Sequence, residues 1–236
     1  KNQTENAVRS VTDLNKAMTL VDMTMSNMSG SSLYSLKQQS LSMAKDLSAA
    51  TKTVTDAVTI YANENESVSS MLNKAQPTVL LSAASGMSSS SSADAIQGIL
   101  NQFNLSEDQA MHVADTVEKL SSEIALDFSK GCDTISQSIA TSGSVVNEAG
   151  MSFEKYAALV STTAEKTRVS GSQIGNAFKT IFSRISRSKD GLTTDAEMSD
   201  AEAALKSVGV SVRRADGDLR DISDTLDDLN KVCIMQ

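Results

Sequence analysis

The chain of 236 residues is long enough to bury a sizeable hydrophobic core without help from disulfide bonds. Aromatic residues make up only 3% of it and proline occurs once, which argues against a β-sandwich or β-barrel and favours helices packed through small and aliphatic side chains. The net charge of −8 at pH 7 argues against strong, nonspecific binding of the whole chain to nucleic acid or to anionic membranes.

The two cysteines, Cys132 and Cys233, lie far apart and form no CxxC pair. A disulfide framework and a zinc knuckle are therefore not predicted, and a reducing compartment fits best. No apolar run approaches the roughly 18 residues that a membrane-spanning helix needs. Because the chain has neither an initiator methionine nor a charged segment followed by an apolar run, we expect a soluble fragment of a longer protein.

The first predicted element is a helix with a heptad seam, in which apolar residues recur at alternating spacings of four and three. The seam comprises Ala7, Val11, Leu14, Met18, Val21, Met25 and Met28. A Gly-Ser-Ser break at 30–32 ends this helix, and a second helix with a similar seam is predicted over 33–61. The pair could form an antiparallel hairpin or one bent helix in a larger coiled bundle, and the seam could also be the buried stripe of a globular helix. The sustained spacing favours an elongated helix that pairs with a partner.

After Asn63 the polar run 63–66 predicts a boundary between long coiled-coil-like helices (1–63) and a compact helical module (64–236). In the module, Pro77 is predicted to begin a helix and the serines at 88–92 to form a loop. A capping box from Ser106 to Gln109 predicts a helix that runs to Phe128. The predicted class is thus all-α.

Two further capping boxes, at 194–197 and 199–202, are candidate starts for a later helix. The segment 210–222 contains Asp216-Gly217 between two short alternating stretches, which predicts a small β-hairpin. A final helix is predicted from about Ser223, with Leu226 and Leu229 facing inward.

The sequence offers little for catalysis or metal binding. His112 is the single histidine, and no nucleophile or paired carboxylate motif accompanies it. The run 171–180 resembles a phosphate loop, but Phe178 replaces the required glycine before the lysine, so a close-packing helix start is the preferred interpretation. The turn at 216–218 lacks the remaining ligands of a calcium loop. We therefore expect no enzymatic activity, no cofactor, and no catalytic or metal-binding residue.

A basic island at 161–189 carries six basic residues and one acidic residue, between two acidic segments. Its helix, predicted at 172–188, has an apolar arc of Ile174, Ala177, Phe178, Ile181, Phe182 and Ile185. Lys179 and Arg187 lie on the opposite side and Arg184 lies at the edge, so these three residues form a candidate interaction surface. That surface could be a solvated face beside acidic neighbours, a site for an anionic partner, or a membrane contact, and the solvated packing helix is favoured.

The stretch from Gly150 to Leu229 contains an ordered succession of segments. They are Gly150-Met-Ser-Phe-Glu-Lys-Tyr156, Ala164-Glu-Lys-Thr-Arg168, Ser170-Gly-Ser-Gln-Ile-Gly-Asn-Ala-Phe-Lys-Thr-Ile-Phe-Ser-Arg184, Ala203-Ala-Leu-Lys-Ser-Val-Gly209 and 212–219. In order and character they resemble the core region of the phage tail tape measure family. The stretches 46–57 and 80–95 are also similar to that family.

The resemblance implies a helical structural protein in the lumen of a phage tail, around which tube subunits polymerise and whose length sets theirs. It also implies a virion location after assembly in the host cytoplasm, with the tail tube protein and tail assembly chaperones as partners. DNA passage would involve the protein only indirectly. The heptad seams independently predict self-association through helices. The alternative function is a membrane-active helical protein that assists DNA delivery, for which the helix at 172–188 is the motivation.

Overall fold

A computed structural model describes residues 2–25, 28–64, 66–124, 127–186, 200–217 and 220–234. The described residues contain eleven α-helices, one 3-10 turn and no strand, so the all-α prediction is confirmed. The helices are α1 (Asn2–Thr24), α2 (Gly30–Asp46), α3 (Thr51–Ala62), α4 (Val68–Ser85), α5 (Ser89–Phe103), α6 (Ala110–Glu123), α7 (Phe128–Glu148), α8 (Phe153–Thr167), α9 (Gly171–Ser186), α10 (Asp200–Ser207) and α11 (Ile222–Ile234). They divide into two compact units, Lys1–Lys119 and Leu120–Gln236.

Unit 1 is built around α3 and α4, which pack against α1, α2 and α5. Its core is a cluster of aliphatic side chains, methionines and one tyrosine. The fully buried members include Val21, Leu36, Val54, Ala57, Val58, Tyr61, Met71, Ala75 and Val79. Helices on both sides of residue 63 belong to this unit. The domain boundary that the sequence suggests at residue 63 stays a prediction.

Serine caps explain where three of these helices begin. The side-chain oxygens of Ser29, Ser67 and Ser88 each accept a hydrogen bond from the backbone N–H three residues later, at 3.1, 3.2 and 3.0 Å. Such a bond satisfies one of the N–H groups that a helix start leaves without an intrahelical partner. The predicted break after α1 is therefore present, and the predicted serine loop is shorter than expected because the serines from Ser89 onward already belong to α5.

The structure does not support the elongated coiled coil that the heptad seam predicts for the first two helices. Leu14, Met18 and Val21 of the seam are buried in the core of unit 1, whereas Val11 of the same seam is 56% exposed. The predicted helix over 33–61 is interrupted, with Ser48 in the left-handed region (φ 50°) between α2 and α3. In this structure the seam is the buried stripe of globular helices, because α1 folds back onto α3 instead of extending.

Pro77 lies inside α4 and not at a helix start. The helix continues through it because the neighbouring positions Ala75, Val79 and Leu81 are fully buried, so core packing outweighs the hydrogen bond that proline cannot donate. The capping box at Ser106 is confirmed, although the first turn after it is a 3-10 turn (Glu107–Gln109).

Unit 2 contains α7, α8 and α9, with α9 packed along α7 and α8 packed against both. The chain reverses after α7 at Gly150 (φ 91°) and after α8 at Arg168 (φ 58°), so α7 and α9 run in the same direction. The predicted helix through Phe128 instead ends at Glu123, and Asp127 caps the start of α7. The predicted capping box at 194–197 lies outside the described residues.

The predicted β-hairpin over 210–222 is not supported by the part of this segment that the structure describes. Val210 and Val212 are buried and alternate as predicted, and they lead into a turn at Gly217 (φ 92°), after which the Arg220 N–H donates to Val212 O at 2.9 Å. Arg213 is an isolated bridge residue and not part of a described strand, and its Nε donates to a Glu202 carboxylate oxygen on α10 at 2.9 Å. The final helix is present as α11.

Candidate functional site

Of the three residues in the predicted interaction surface, the structure describes the environment of one. The side chain of Lys179 is exposed on α9. Arg184 lies in the last part of α9, where the backbone alone is described, and Arg187 lies outside the described residues. The three-residue surface therefore stays a prediction.

The apolar arc of α9 is used largely within unit 2. Ile174 and Phe182 are almost fully buried and Phe178 is half-buried, whereas Ile181 is 45% exposed. A membrane contact through this arc would require the buried residues to leave their packing against α7 and α8. Separately, none of the described helices is long and apolar enough to cross a membrane.

Two glycines allow α9 to lie unusually close to α7. A Cβ atom at Gly171 would come within 2.3 Å of the backbone oxygen of Thr134, and one at Gly175 within 2.9 Å of the backbone oxygen of Ser138. No larger side chain fits at such distances without moving one helix. The run that resembles a phosphate loop is thus a helix start whose glycines permit close packing.

Tyr156 of α8 completes this three-helix arrangement. Its hydroxyl lies 3.1 Å from the Ser138 oxygen and 2.5 Å from the Ser142 oxygen of α7. Its ring meets Phe178 and Phe182 of α9 edge-on, at centroid distances of 5.6 and 6.3 Å. Burial raises the pKa of Tyr156, and the two serine hydrogen bonds oppose that effect only in part. The tyrosine therefore stays neutral and ties α8 to both neighbouring helices.

A buried lysine in unit 1 is paired with two glutamates. The side chain of Lys74, on α4, is fully buried, and its Nζ donates to Glu64 Oε2 at 3.2 Å, to Gln97 Oε1 at 2.9 Å, and to Glu66 Oε1. The ammonium also lies 4.6 Å from the ring centroid of Tyr61. An ammonium has three N–H groups, so each has an acceptor. We call these five residues the Lys74 cluster.

The Lys74 cluster joins four parts of unit 1. Tyr61 belongs to α3, the two glutamates to the connection between α3 and α4, Lys74 to α4, and Gln97 to α5. One more hydrogen bond connects the cluster to Thr78, whose Oγ1 on α4 lies 2.7 Å from the Tyr61 hydroxyl. A single cation therefore holds together three helices and one connection.

The two carboxylates of the Lys74 cluster titrate differently. Burial raises the pKa of Glu64, and the neighbouring Glu66 raises it further, against the lowering effect of Lys74. Burial also acts to raise the pKa of Glu66, but hydrogen bonds from Lys74 and Ser70 outweigh it and lower that pKa. Glu66 is therefore the principal counter-ion of Lys74. Burial, aided by the nearby carboxylates, raises the pKa of Tyr61.

A groove of about 460 Å³ runs along unit 1 between α1 and α3. Its apolar lining comes from Ala17, Leu20 and Ile60, and charged residues of both signs stand at its rim, with Lys52 and Asp56 paired at 2.5 Å. Such a lining is typical of helix contacts rather than of a catalytic pocket. Within the ranges that the structure describes, no three His, Cys, Asp or Glu side chains come together as a metal site would need.

Ion pairs hold the segment after α10. Besides the bond between Arg213 and Glu202, Arg220 Nη2 donates to Asp228 Oδ2 on α11 at 2.8 Å. Hydrogen bonds from Arg220 and Lys231 lower the pKa of Asp228. Lys155 on α8 pairs with Asp221 at 3.3 Å. Acidic residues of the C-terminal segment are thus neutralised in part by basic residues within unit 2.

Sequence reasoning missed the Lys74 cluster. Glu64 and Glu66 precede Lys74 by ten and eight residues, spacings that place no pair on one helix face. A signal was nonetheless present: a lysine stands in a helix whose neighbouring residues Met71, Ala75 and Val79 are apolar, and a lysine at a core position requires anions nearby. The sequence pattern does not indicate which acidic residues supply those anions.

Comparison with known proteins gives two matches. The phage-related minor tail protein family matches over residues 37–233. A probable tape measure protein of Escherichia phage P2 is 24% identical over 190 residues, which is 80% of this chain and 22% of that protein. The chain thus spans about a fifth of the length of this curated relative. No solved structure matches the chain.

Proposed function

The chain belongs to the phage-related minor tail protein family, and we propose that it is a structural segment of a tail tape measure protein that sets tail length and scaffolds assembly of the tail tube. The observation that carries this proposal is the similarity to the probable tape measure protein of Escherichia phage P2 over 80% of the chain.

The proposed partners are the tail tube protein, tail assembly chaperones and further copies of the chain itself. The protein acts in the tail lumen of the virion after assembly in the host cytoplasm, and its role is structural rather than enzymatic. The exposed Lys179 on α9 and the open groove beside α1 are the surfaces of the described residues that best suit such contacts. DNA passes the segment without a dedicated binding site.

Tail length in electron micrographs tests the proposal. An in-frame deletion of the segment that encodes unit 1 (1–119) is made in the parent gene, and tails are measured. If the deleted segment contributed as one continuous helix, the tail would shorten by up to about 180 Å at 1.5 Å per residue. A compact segment would contribute less, so any reproducible shortening supports a ruler role.

A length-preserving variant serves as the control for this experiment. Lys74→Met leaves the number of residues unchanged while it removes the buried ammonium, so tails should keep their length if they form. Normal tails of unchanged length after the deletion would contradict the proposal. Shortening by Lys74→Met to the same extent as by the deletion would contradict it as well, because length would then follow folding and not residue number.

A further inference from the structure

The bend between α2 and α3 interrupts an apolar face that both helices share. Apolar residues continue across the bend at helical spacing, at Met43, Leu47, Ala50 and Val54. In the structure the two helices are separate, and the chain bends at 47–50. Leu47 is half-buried and Ala50 is exposed, whereas Val54 is fully buried. The bend therefore leaves the middle of the shared face incompletely covered.

The backbone at the bend adopts a conformation that its residues disfavour. Ser48 lies in the left-handed region with φ 50°, and beside it the Ala49 N–H donates to the Ala44 carbonyl oxygen at 2.9 Å. Glycine is the usual residue at such a helix end, and a Cβ atom makes the conformation roughly 10-fold less favourable. Ala50 then precedes α3 without a side-chain cap, whereas serines cap α2, α4 and α5. Both features disfavour the bent state.

The packing of α2 against the rest of unit 1 is also imperfect. The Ser40 hydroxyl is fully buried and has no hydrogen-bond partner among the described residues. Burying a hydroxyl without a partner is unfavourable, because the bonds that water would supply are lost. Met43 and Leu47 line an open cavity of about 330 Å³, which Leu72 of α4 also lines. The contact between α2 and α4 thus combines an unsatisfied polar group with incomplete apolar packing.

A continuous helix across the bend would relieve these unfavourable features. The last carbonyl groups of α2 and the first N–H groups of α3 would bond to each other, and Ser48 would take an ordinary helical φ. The Ser40 hydroxyl would reach water or the carbonyl four residues earlier. Against this, Leu36 and Ala44 would lose their burial. Exposing a leucine alone lowers a population by roughly 10- to 100-fold, so the bent state dominates.

We propose that residues 47–50 are a hinge, at which α2 leaves the core of unit 1 and joins α3 in one continuous helix over 30–62. The straight helix is about 50 Å long at 1.5 Å per residue. It is populated in on the order of one molecule in 100 to 1,000, because the strain of the bend offsets only part of the lost burial. The hinge lets unit 1 lengthen without unfolding a helix. It is independent of the proposed role in tail length.

Thiol labelling of the full 236-residue chain tests whether α2 leaves the core by way of the hinge. Cys132→Ala and Cys233→Ser remove the two natural thiols, and Ser40→Cys then places a thiol of similar shape in the buried contact. Its labelling rate is proportional to the fraction of molecules in which α2 is undocked. Alanine at position 48 favours a helical joint and glycine favours the left-handed bend. The rate should therefore be about 30-fold higher with Ser48→Ala than with Ser48→Gly.

Ser92→Cys is the matched control for the labelling experiment. Ser92 is another fully buried serine whose hydroxyl has no partner among the described residues, and it lies on α5. Its labelling should be the same with alanine and with glycine at position 48, because the opening of the hinge leaves α5 in place. Equal acceleration of Ser40→Cys and Ser92→Cys would mean that unit 1 opens as a whole, which would overturn the hinge.

Distances between spin labels test the shape of the open state. The labels are attached at Tyr34→Cys on α2 and Lys52→Cys on α3, at positions that are 65% and 67% exposed. In a continuous helix these positions lie 18 residues apart on one face, which corresponds to about 27 Å. Leu36→Gln removes the most deeply buried apolar anchor of α2 and keeps a good helix former. It should give a narrow distance distribution near 27 Å and unchanged helical circular dichroism.

Three results would overturn the hinge. A broad distance distribution with weaker circular dichroism would show that α2 unfolds when it leaves the core. Retention of the original distance in Leu36→Gln would show that α2 stays docked. Equal labelling of Ser40→Cys with alanine and glycine at position 48 would show that the bend does not control undocking. If Leu36→Gln did not fold, the labelling rates would decide, because that experiment keeps Leu36.

Discussion

Replacing Lys74 by methionine tests whether the Lys74 cluster holds unit 1 together. The substitution keeps most of the side-chain volume but removes the buried ammonium, which leaves Glu64 and Glu66 facing each other and Gln97 without its donor. The two neighbouring carboxylates then repel each other, and they lose their counter-ion while they are partly buried. We therefore expect the packing of α4 against α5 and the α3–α4 connection to loosen.

The expected loss can be worked from the exposure of the partners. Breaking a fully buried ion pair by removing one member costs about 3–5 kcal/mol. The side chains of Glu64 and Glu66 are 37% and 15% exposed, so water compensates part of this loss. We expect a decrease of about 2–4 kcal/mol in the free energy of local unfolding, which corresponds to a roughly 30- to 1,000-fold larger equilibrium constant for opening.

Native-state hydrogen exchange measured by mass spectrometry is the suitable assay. The chain contains two units, so a single melting temperature would not describe a two-state transition. Exchange reports each helix separately. Amides of α4 and α5 should lose protection in Lys74→Met, and amides of α7 in unit 2 provide an internal reference.

Lys52→Met is the matched control, because Lys52 also pairs with a carboxylate in unit 1, at 2.5 Å from Asp56, but its side chain is 67% exposed. An exposed pair of this kind contributes at most about 0.5 kcal/mol. If Lys74→Met changed exchange no more than Lys52→Met does, the assignment of a stabilising role to the buried cluster would be wrong. Partial recovery in Lys74→Met combined with Glu66→Gln would identify carboxylate repulsion as the cause.

Three further changes probe other contacts. Gly171→Ala should destabilise unit 2 by about 1–3 kcal/mol, measured by hydrogen exchange of α7 and α9, because the added Cβ would collide with the α7 backbone. Gly98→Ala is the control, and it should be neutral or slightly stabilising because Gly98 has open space around it. Because the pKa of Glu66 is lowered in the folded chain, its contribution to stability is present above the ordinary value of 4.5 and disappears as pH falls through the folded pKa. Exchange of α4 measured against pH should show this loss, and Glu66→Gln should flatten it. Tyr156→Phe should lower the free energy of local unfolding of α7 and α8 by about 1 kcal/mol in hydrogen exchange, since it removes the hydroxyl that reaches two serines of α7. Unchanged exchange would show those bonds to be unimportant.

Several local features were predictable because they depend on neighbouring residues alone. The capping box from Ser106 to Gln109 and the glycine turn at 217 follow from side-chain chemistry over a few residues, and both are present. Pro77 shows the limit of such rules. Its local preference for a helix start was overruled by the buried residues around it, because the free energy of core packing exceeds that of one hydrogen bond.

The sequence by itself determined that the chain is helical and that it resembles the tape measure family, because composition, periodicity and the order of segments are properties of the chain alone. Only the tertiary structure decided which apolar stripe is buried. The heptad seam of α1 is satisfied by α3 from Leu14 onward, so a pattern that predicted an extended coiled coil serves a globular core. It also decided that Lys74, Glu64, Glu66 and Gln97 meet, since residues from two helices and a connection converge only when α3, α4 and α5 pack. Long-range contacts of this kind depend on how helices are arranged in space, and a heptad seam can be buried equally well by the same chain or by another.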